Sequence, residues 1–205
     1  MASIQSITVC GTKYRITLHD GRSFILKADD MSEFPWQEGT DADDELFMQF
    51  IRIHQYPEGL NTAVSMLSRR ACSIKEITDR LKRRGICDDV SELVIYKLEK
   101  ENLLNDRDFS AQWTRYRSGC HYGPARIYRE LRMKGIDEET AREAISDMND
   151  DDQMQQAVIL AAKGFRKAKP DEDQRKVFQR VLRMLIQRGF DWEIAKNACD
   201  RAMSE

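Results

Sequence analysis

The chain has 205 residues, of which 33% are charged and 41% hydrophobic, and its formal net charge is −2. A chain of this length can bury a stable core in one or two small domains, and its high charge favours slender helices that each bury one stripe. The balanced charge argues against a stand-alone DNA-binding domain, which is usually clearly basic, and its short apolar runs exclude a membrane-spanning helix.

The first thirty residues predict a small antiparallel sheet. Three runs of β-branched and aromatic residues lie at 4–9, 13–18 and 23–27. The second and third are joined by Asp20-Gly21, a strong hairpin signal because both residue types tolerate the positive φ of a tight turn. We therefore predict a three-stranded ribbon, which needs another element to pack against.

That element is predicted to be an acidic helix at about 41–54. Its apolar face would consist of Leu46, Phe47, Phe50 and Ile51. The Tyr-Pro-Glu-Gly segment at 56–59 is predicted to break the chain and to mark a domain boundary. Residues 1–56, with 5 basic and 9 acidic side chains, would then form an acidic leader.

From residue 57 onward the sequence predicts a tandem repeat. A helical apolar pattern runs three times into a basic residue, a glycine and a large apolar residue, at 84–86, 134–136 and 188–190. The glycines are 50 and 54 residues apart, and a leucine precedes each of them by four positions. A fixed period of this length is typical of repeated supersecondary units. Each glycine is predicted to occupy the left-handed position that ends a helix.

Each repeat is predicted to contain three helices, so the fold class is mainly α, an elongated curved array behind the β-ribbon leader. The predicted repeats span 57–105, 106–149 and 150–205. The predicted helices lie at 60–69, 73–84 and 88–101, at 106–118, 124–134 and 137–148, and at 152–168, 173–188 and 191–203. Ser73 and Glu76 have the spacing of a capping box, and Pro124 suits the first turn of a helix.

The second helices of the repeats contain the first candidate binding residues. Arg126 with Arg129, and Arg180 with Arg183, occupy matched positions three residues apart, so each pair shares one helix face. Residues 107–134 have a net charge of +5. Such arginine pairs can hold phosphates or carboxylates bidentately; alternatively, they are solvated surface residues.

Further candidates are basic or aromatic residues near helix ends. Arg117 and Tyr122 interleave a cation with an aromatic ring, as in single-strand nucleic-acid binding, although the aromatic residues nearby also suit a core. The remaining basic candidates are Lys82, Arg83, Arg84, Arg132, Lys134, Lys163, Arg166 and Lys167. A cation in the last turn, such as Arg84 or Lys134, can instead serve the helix dipole.

Catalytic and metal-binding patterns are not recognised. The sequence has no phosphate-binding glycine loop, no nucleophile elbow and no Cys/His cluster at zinc spacing. Its five scattered cysteines predict reduced, intracellular thiols, and no secretory signal is apparent. We expect a cytoplasmic protein, not an enzyme, without cofactor or metal.

The order and spacing of several segments resemble the RecX family, regulators of the bacterial RecA recombinase. The strongest likeness lies in the second repeat, and the first repeat and the leader are similar too. The segments are Leu103 to Asp106 leading into Phe109, Gly123 to Ile127, Glu130 to Ile136, Ala63 to Leu67, Arg69-Arg70, Glu76, Leu81 to Gly85, and Leu18 to Gly21 with Phe24.

This resemblance implies a non-enzymatic protein that binds RecA and its filament on DNA. It would modulate, and we expect inhibit, ATP turnover, strand exchange and the SOS and repair activity of the recombinase. The expected partners are RecA, the RecA–DNA filament and, weakly, single- or double-stranded DNA, with the regulator a monomer away from membranes. The residues alone leave two alternatives, a helical-repeat scaffold that binds only protein and a stand-alone weak DNA-binding protein.

Overall fold

The structure, a computed structural model, describes residues 2–33, 37–42, 44–169 and 171–204. The chain forms two compact units, Met1–Asn105 and Asp106–Glu205. The finer division into a leader and three repeats, with boundaries at 57, 106 and 150, stays a prediction. Across the described ranges, no helix is long and apolar enough to cross a membrane.

The first unit begins with the predicted antiparallel ribbon, which is confirmed. Strands β1 (Ala2–Cys10), β2 (Lys13–Leu18) and β3 (Ser23–Lys27) pair in sequence. A two-residue strand, β4 (Asp41–Ala42), adds to the free edge of β1 and gives the order β3-β2-β1-β4. One face of the sheet is fully buried and consists of Ile4, Ile16, Leu18, Phe24 and Leu26.

The short helix α1 (Ala28–Met31) follows the sheet, and the long helix α2 (Asp44–Leu67) then packs against it. The predicted break at 56–59 is wrong, because α2 is continuous and contains Pro57. An internal proline loses one backbone hydrogen bond and costs about 3 kcal/mol. Burial outweighs this cost, since α2 buries a residue every four positions through the proline, at Phe47, Ile51, Gln55, Gly59 and Ala63.

The predicted apolar face of α2 is also corrected at one position. Phe47 and Ile51 are fully buried, and the Phe47 ring meets the Phe24 ring edge-on at a centroid distance of 5.0 Å. Leu46, in contrast, is 59% exposed. The stripe of α2 follows the i, i+4 spacing of Phe47 and Ile51, and Leu46 lies beside it.

A buried glutamine joins three elements of the first unit. The Gln55 amide nitrogen donates to the carbonyls of Ile25 and Gly85, at 3.0 and 3.1 Å. Its oxygen accepts from the backbone N–H of Cys87 at 2.9 Å. The side chain is 2% exposed, so α2 is tied to β3 and to the end of the next helix without an unsatisfied polar atom.

Helices α3 (Ile74–Arg83) and α4 (Asp88–Lys100) complete the first unit. The capping box is confirmed, because the Glu76 N–H donates to Ser73 Oγ and the Ser73 N–H donates to the Glu76 carboxylate. The residues buried by the two helices are Ile77, Leu81, Val90, Ser91, Val94 and Leu98. These residues share one core with the sheet and α2.

Among its described residues, the second unit consists of helices and the turns that join them. Its helices are α5 (Asp106–Gly119), α6 (Pro124–Met133), α7 (Glu138–Ser146), α8 (Asp150–Phe165), α9 (Gln174–Gln187) and α10 (Trp192–Ser204). Pro124 stands at the predicted first position of α6. The acidic triplet at 150–152 opens α8, two residues before the predicted start at 152, and the Asn149 side chain caps it. An acidic first turn complements the positive end of the helix dipole.

The three repeat glycines end their helices as predicted. Gly85, Gly135 and Gly189 have φ values of +78°, +86° and +93°. In each turn the N–H of the following residue donates back to the leucine four before the glycine, over 3.1 to 3.2 Å. This is the Schellman arrangement, in which a left-handed residue satisfies the last free carbonyls of a helix.

Two of these turns are also points of close packing. A Cβ on Gly189 would lie 2.4 Å from the backbone nitrogen of Arg126, and a Cβ on Gly123 would lie 2.4 Å from the Gly189 carbonyl. Between them the Gly123 N–H donates to the Arg188 carbonyl at 2.9 Å. We call the contact of Gly189 with Gly123 and Arg126 the glycine junction. In the first unit, a Cβ on Gly85 would lie 2.3 Å from Ile25 in β3.

Replacing Gly189 by alanine should destabilise the second unit by about 2–4 kcal/mol. The left-handed backbone strains any residue with a Cβ by about 1–2 kcal/mol, and forcing a methyl group into a packed site costs about 1–3 kcal/mol more. Urea denaturation followed by circular dichroism measures the loss.

The matched control is Gly119→Ala in the same unit. A Cβ there meets nothing within 4 Å, and alanine favours a helix by up to about 1 kcal/mol over glycine. Equal stability of the two variants would contradict the steric interpretation of the glycine junction.

Candidate functional site

Two predicted arginines of the second unit contact the ring of a third predicted residue, Tyr122. The guanidinium carbon of Arg117 lies 4.0 Å from the centroid of the Tyr122 ring, and that of Arg126 lies 4.3 Å from it. Arg188, from the end of α9, is the third cation at 5.0 Å. Cation–π contacts of this kind are worth about 0.5–2 kcal/mol each. We call these four residues the arginine–tyrosine cluster.

Glu130 is the carboxylate that pairs with two of the three arginines of this cluster. Its carboxylate accepts two hydrogen bonds from Arg117, at 2.5 and 2.6 Å, and one each from Arg126 and the Trp113 indole at 3.2 Å. Burial opposes ionisation of the carboxyl group, but the donors from Arg117, Arg126 and Trp113 outweigh it and lower the pKa of Glu130 below its usual 4.5. Arg117 is thus committed to an internal ion pair, with only 17% of its side chain exposed.

Lys134 stacks on the neighbouring aromatic side chains. Its Nζ lies 4.1 Å from the Trp113 ring centroid and 5.5 Å from that of Phe109. Trp113 and Phe109 stack on each other at 6.0 Å, against the core that contains Ile127, Leu131 and Ile136. Trp113 and Phe109 therefore form part of the core of the repeat, as the alternative interpretation expected, whereas Tyr116, beside Arg117, is 61% exposed.

A second group of cations lines a cavity of about 980 Å³ in the same unit. Its lysines come from the end of α8 and the following turn, its arginines from α9, and its far wall from the turn between α5 and α6. The basic lining residues are Lys163, Lys167, Lys169, Arg180, Arg188 and His121. Apolar residues, such as Leu160 and Met184, also line it. We call this cavity the basic cleft.

Close helix packing shapes the basic cleft. A Cβ on Gly164 would lie 2.9 Å from a methyl group of Val181, so α8 and α9 approach closely at this point. Two carboxylates, Asp171 and Glu172, also line the cavity. Arg180 binds Glu172 through both guanidinium arms, and this contact lowers the pKa of the Glu172 carboxyl group. The lysines are consequently the cations available to an anionic ligand.

In each of the two matched arginine pairs, one arginine has a carboxylate partner and the other has none among the described residues. Arg126 contacts Glu130 and Arg180 contacts Glu172. Arg129 and Arg183, one turn further along, are exposed and have no carboxylate within 4 Å among the described residues. The Arg129 Nε only donates to the Ala125 carbonyl at 3.2 Å.

The other predicted residues are members of neither the cluster nor the lining of the cleft. Arg132 is exposed and donates to the Ile136 carbonyl at 2.7 Å. Arg166 is exposed at the end of α8 and donates to the Ala162 carbonyl. Lys82, Arg83 and Arg84 belong to the first unit and are exposed. Arg84 comes within 3.8 Å of the Glu58 carboxylate.

Sequence reasoning missed two residues that organise this region. Glu130 stands four positions after Arg126, a spacing that signals a helical ion pair, but its stronger partner Arg117 lies across a turn. Arg188 is one of the basic residues that precede the repeat glycines, and its guanidinium also donates to the carbonyls of Cys120 and His121 at 3.4 and 3.5 Å. These Arg188 contacts lie next to the glycine junction, where the Gly123 N–H donates to the Arg188 carbonyl.

The arrangement suits anion binding better than catalysis or metal binding. The described residues contain no group of three His, Cys, Asp or Glu side chains placed to hold a metal ion. The cleft lysines and the unpaired Arg129 and Arg183 present positive charge on an exposed surface. Such charge attracts phosphate or acidic protein surfaces.

Replacing Glu130 by glutamine should destabilise the second unit by about 2–3 kcal/mol, because Arg117 would stay half-buried without its counter-charge. The loss in the free energy of unfolding should be constant above about pH 5.5. Because the folded pKa of Glu130 is lowered, its contribution is present above the unfolded pKa of 4.5 and is lost as the pH falls through the folded value. Urea denaturation between pH 3 and 7 measures this.

The double variant Arg117→Met/Glu130→Gln is the control. This variant removes the uncompensated cation of Arg117 and keeps an apolar side chain in its place. It should therefore recover at least about half of the lost free energy of unfolding. A double variant less stable than Glu130→Gln alone would contradict the ion-pair explanation.

Three models of a known protein family match the chain, one after another along the sequence. They describe the first, second and third three-helix domains of RecX and match residues 60–98, 105–145 and 150–199. The cluster and Glu130 lie mainly in the second match, and Arg180, Arg183 and the cleft lysines lie in the third.

Curated relatives are similar along most of their length. The regulatory protein RecX of Bacillus subtilis is 31% identical over 190 residues, which cover 92% of this chain and 72% of that protein. The regulatory protein RecX of Mycolicibacterium smegmatis is 33% identical over 139 residues, 66% of this chain and 74% of that one.

Two crystal structures share the fold. One of a regulatory protein RecX has a TM-score of 0.67 and 24% identity, and covers 98% of this chain and all of that one. One of RecX from Lactobacillus salivarius has a TM-score of 0.66 and 26% identity over 74% of this chain and 98% of that one. Together with the matched domains, these likenesses show that the chain belongs to the RecX family of bacterial regulatory proteins.

Proposed function

We propose that this chain regulates the RecA recombinase by binding its filament on DNA, and that it inhibits ATP turnover and strand exchange there. The observation that supports this function is its membership of the RecX family, whose curated members are named regulatory proteins. RecA is proposed as the partner because of the family resemblance. The regulator acts as a cytoplasmic monomer without catalysis, through the affinity of its surfaces for the filament.

The binding surface is proposed to be the exposed positive face of the second unit. Its main contacts are Arg129 and Arg183, with Lys163 and Lys167 of the basic cleft, because none of these cations has a carboxylate partner within 4 Å among the described residues. A charge that already satisfies a neighbour contributes less to a ligand, since the internal pair must first be broken.

Arg117, Arg126 and Tyr122 are assigned a supporting role in the same surface. Arg117 and Arg126 hydrogen-bond Glu130, and Tyr122 is covered by three guanidinium groups. These contacts fix α6, from which Arg129 projects one turn after Arg126. The cluster therefore positions the exposed arginine, and the chain's modest net charge favours the filament over naked DNA.

Titrating this protein into the RecA of the same organism on single-stranded DNA should inhibit ATP hydrolysis well below one regulator per recombinase. Substoichiometric action is expected because one molecule bound at a filament end or within its groove affects many subunits. Steady-state hydrolysis measures this directly. Unchanged hydrolysis at equimolar protein would reject the proposed function.

Charge reversal at Arg129 and Arg183 together should weaken filament binding by at least about tenfold, since each position loses a charge-assisted contact worth about 1.5–3 kcal/mol and gains a repulsive carboxylate. Fluorescence anisotropy of labelled filaments measures the affinity. Arg175→Glu/Arg201→Glu, which changes the same charge at exposed positions of α9 and α10, is the matched control. Equal affinities of the two variants would place the surface elsewhere.

The salt dependence of binding separates the two remaining alternatives. A surface that neutralises several phosphates loses affinity log-linearly as salt increases. Binding to protein-only RecA with a shallow salt slope would favour the protein-binding scaffold. Equal affinity for naked DNA and for the filament would favour the stand-alone DNA-binding protein.

A further inference from the structure

The first unit contains a cation-lined groove that the proposed surface of the second unit does not include. Its volume is about 630 Å³. Strands β2 and β3 contribute Lys13 and Lys27, and the segment after α2 contributes Arg69. Arg80 comes from α3, and Arg84 directly follows it. The leader and the first repeat thus supply positive charge to one concavity, although residues 1–56 are acidic as a whole.

Glu58 is the one carboxylate among the described lining residues, and three of the cations share it. Its oxygens lie 2.8 Å from Lys13 Nζ, 3.8 Å from Lys27 Nζ and 3.8 Å from the Arg84 guanidinium. With five cations and one carboxylate, the lining has a net charge of +4 when His54 is neutral. Local positive charge of this size is not balanced within the groove.

Arg69 and Arg80 have no ion pair and no side-chain hydrogen bond among the described residues. Arg80 is notable because its residue is half-buried. A guanidinium group presents five N–H donors, and no Arg80 nitrogen is among the buried side-chain atoms that lack a partner in the described part of the chain. These donors therefore reach solvent inside a positive groove, where they are accessible to an anionic ligand.

The polar lining indicates which anion. Asn61, Thr62 and Ser65 of α2 offer neutral hydrogen-bonding groups. Among the described lining residues there is no Phe, Tyr or Trp on which a base could stack. The groove therefore suits recognition of phosphate groups by charge and hydrogen bonds, without base stacking. Phosphates also place more negative charge in a given volume than peptide carboxylates do.

We propose that this groove binds closely spaced phosphate groups through Arg69 and Arg80, with Lys13, Lys27 and Arg84 as the surrounding cations. The source of the phosphates is either the backbone of a polynucleotide or a free oligophosphate. In both cases Glu58 acts as an internal competitor for the cations. The site is independent of RecA binding and of the surface proposed above.

The test uses the full-length protein with two probes, inorganic tripolyphosphate by calorimetry and a short labelled DNA duplex by anisotropy. The variant Arg69→Gln/Arg80→Gln should bind tripolyphosphate at least about tenfold more weakly. The control Lys75→Gln/Lys100→Gln removes the same charge from exposed positions of α3 and α4 in the same unit and should bind like the parent. Thermal melting should show no greater loss for the groove variant than for the control, since Arg69 and Arg80 have no ion pair among the described residues, whereas the control gives up the exposed Lys75–Asp79 pair, which contributes little to stability.

Glu58→Gln provides a change in the opposite direction. It releases the three cations from their carboxylate, so it should tighten tripolyphosphate binding by about threefold or more. The control is Glu92→Gln, which removes an exposed carboxylate from α4 and should leave the affinity unchanged. That result would show that the tighter binding of Glu58→Gln is not a general effect of net charge.

The duplex identifies the phosphate source. If Arg69→Gln/Arg80→Gln also weakens duplex binding and lowers its salt slope by about 2, the source is a polynucleotide backbone. If duplex binding is unchanged, it is a free oligophosphate. The proposal is overturned if the parent binds neither probe, if the groove variant loses no more than its control, or if only an oligoglutamate peptide binds in a groove-dependent manner. None of these outcomes involves RecA, so the proposed function is tested separately.

Discussion

The glycine junction is the contact on which the second unit depends. Gly189 adopts a left-handed turn that lies against the backbone of Gly123 and Arg126, closer than any side chain would allow. Because the turn lies there, Arg188 contacts both the Tyr122 ring and the carbonyls that follow α5. One backbone contact thus completes the arginine–tyrosine cluster and places Arg188 in the lining of the basic cleft. In the first unit, Gly85 contacts Ile25 of the sheet by the same kind of turn.

Internal ion pairs decide which cations of the second unit remain available. The region is rich in arginine, but Arg117 and Arg126 are held by Glu130, and Arg180 is held by Glu172. The exposed remainder, Arg129, Arg183 and the cleft lysines, is therefore a better guide to binding than the net charge of a sequence window. In the first unit a single carboxylate, Glu58, contacts three cations, while Arg69 and Arg80 have no carboxylate partner among the described residues.

Family membership and the structure contribute different parts of the functional argument. The three matched domains and the curated relatives place this chain in the RecX family of regulatory proteins. The structure supplies one cation-lined surface in each unit, and we propose that these surfaces bind anions. A regulator that acts by binding needs no catalytic group, and affinity for phosphates or acidic surfaces is what such cations provide. The proposed actions on RecA and on phosphates follow from this combination.

The sequence by itself determined the features that depend on neighbouring residues. The Asp20-Gly21 hairpin, the Ser73–Glu76 capping box and the three left-handed glycines follow from local backbone conformation and short hydrogen bonds, so pattern predicted them. Only the tertiary structure decided that α2 continues through Pro57 and that Leu46 is exposed, because burial against the sheet outweighs local propensity. It also decided that Arg117 meets Glu130 and that Arg188 meets Tyr122. These partners are brought together by packing between helices, and no local signal in the chain specifies which charged side chains will share that space.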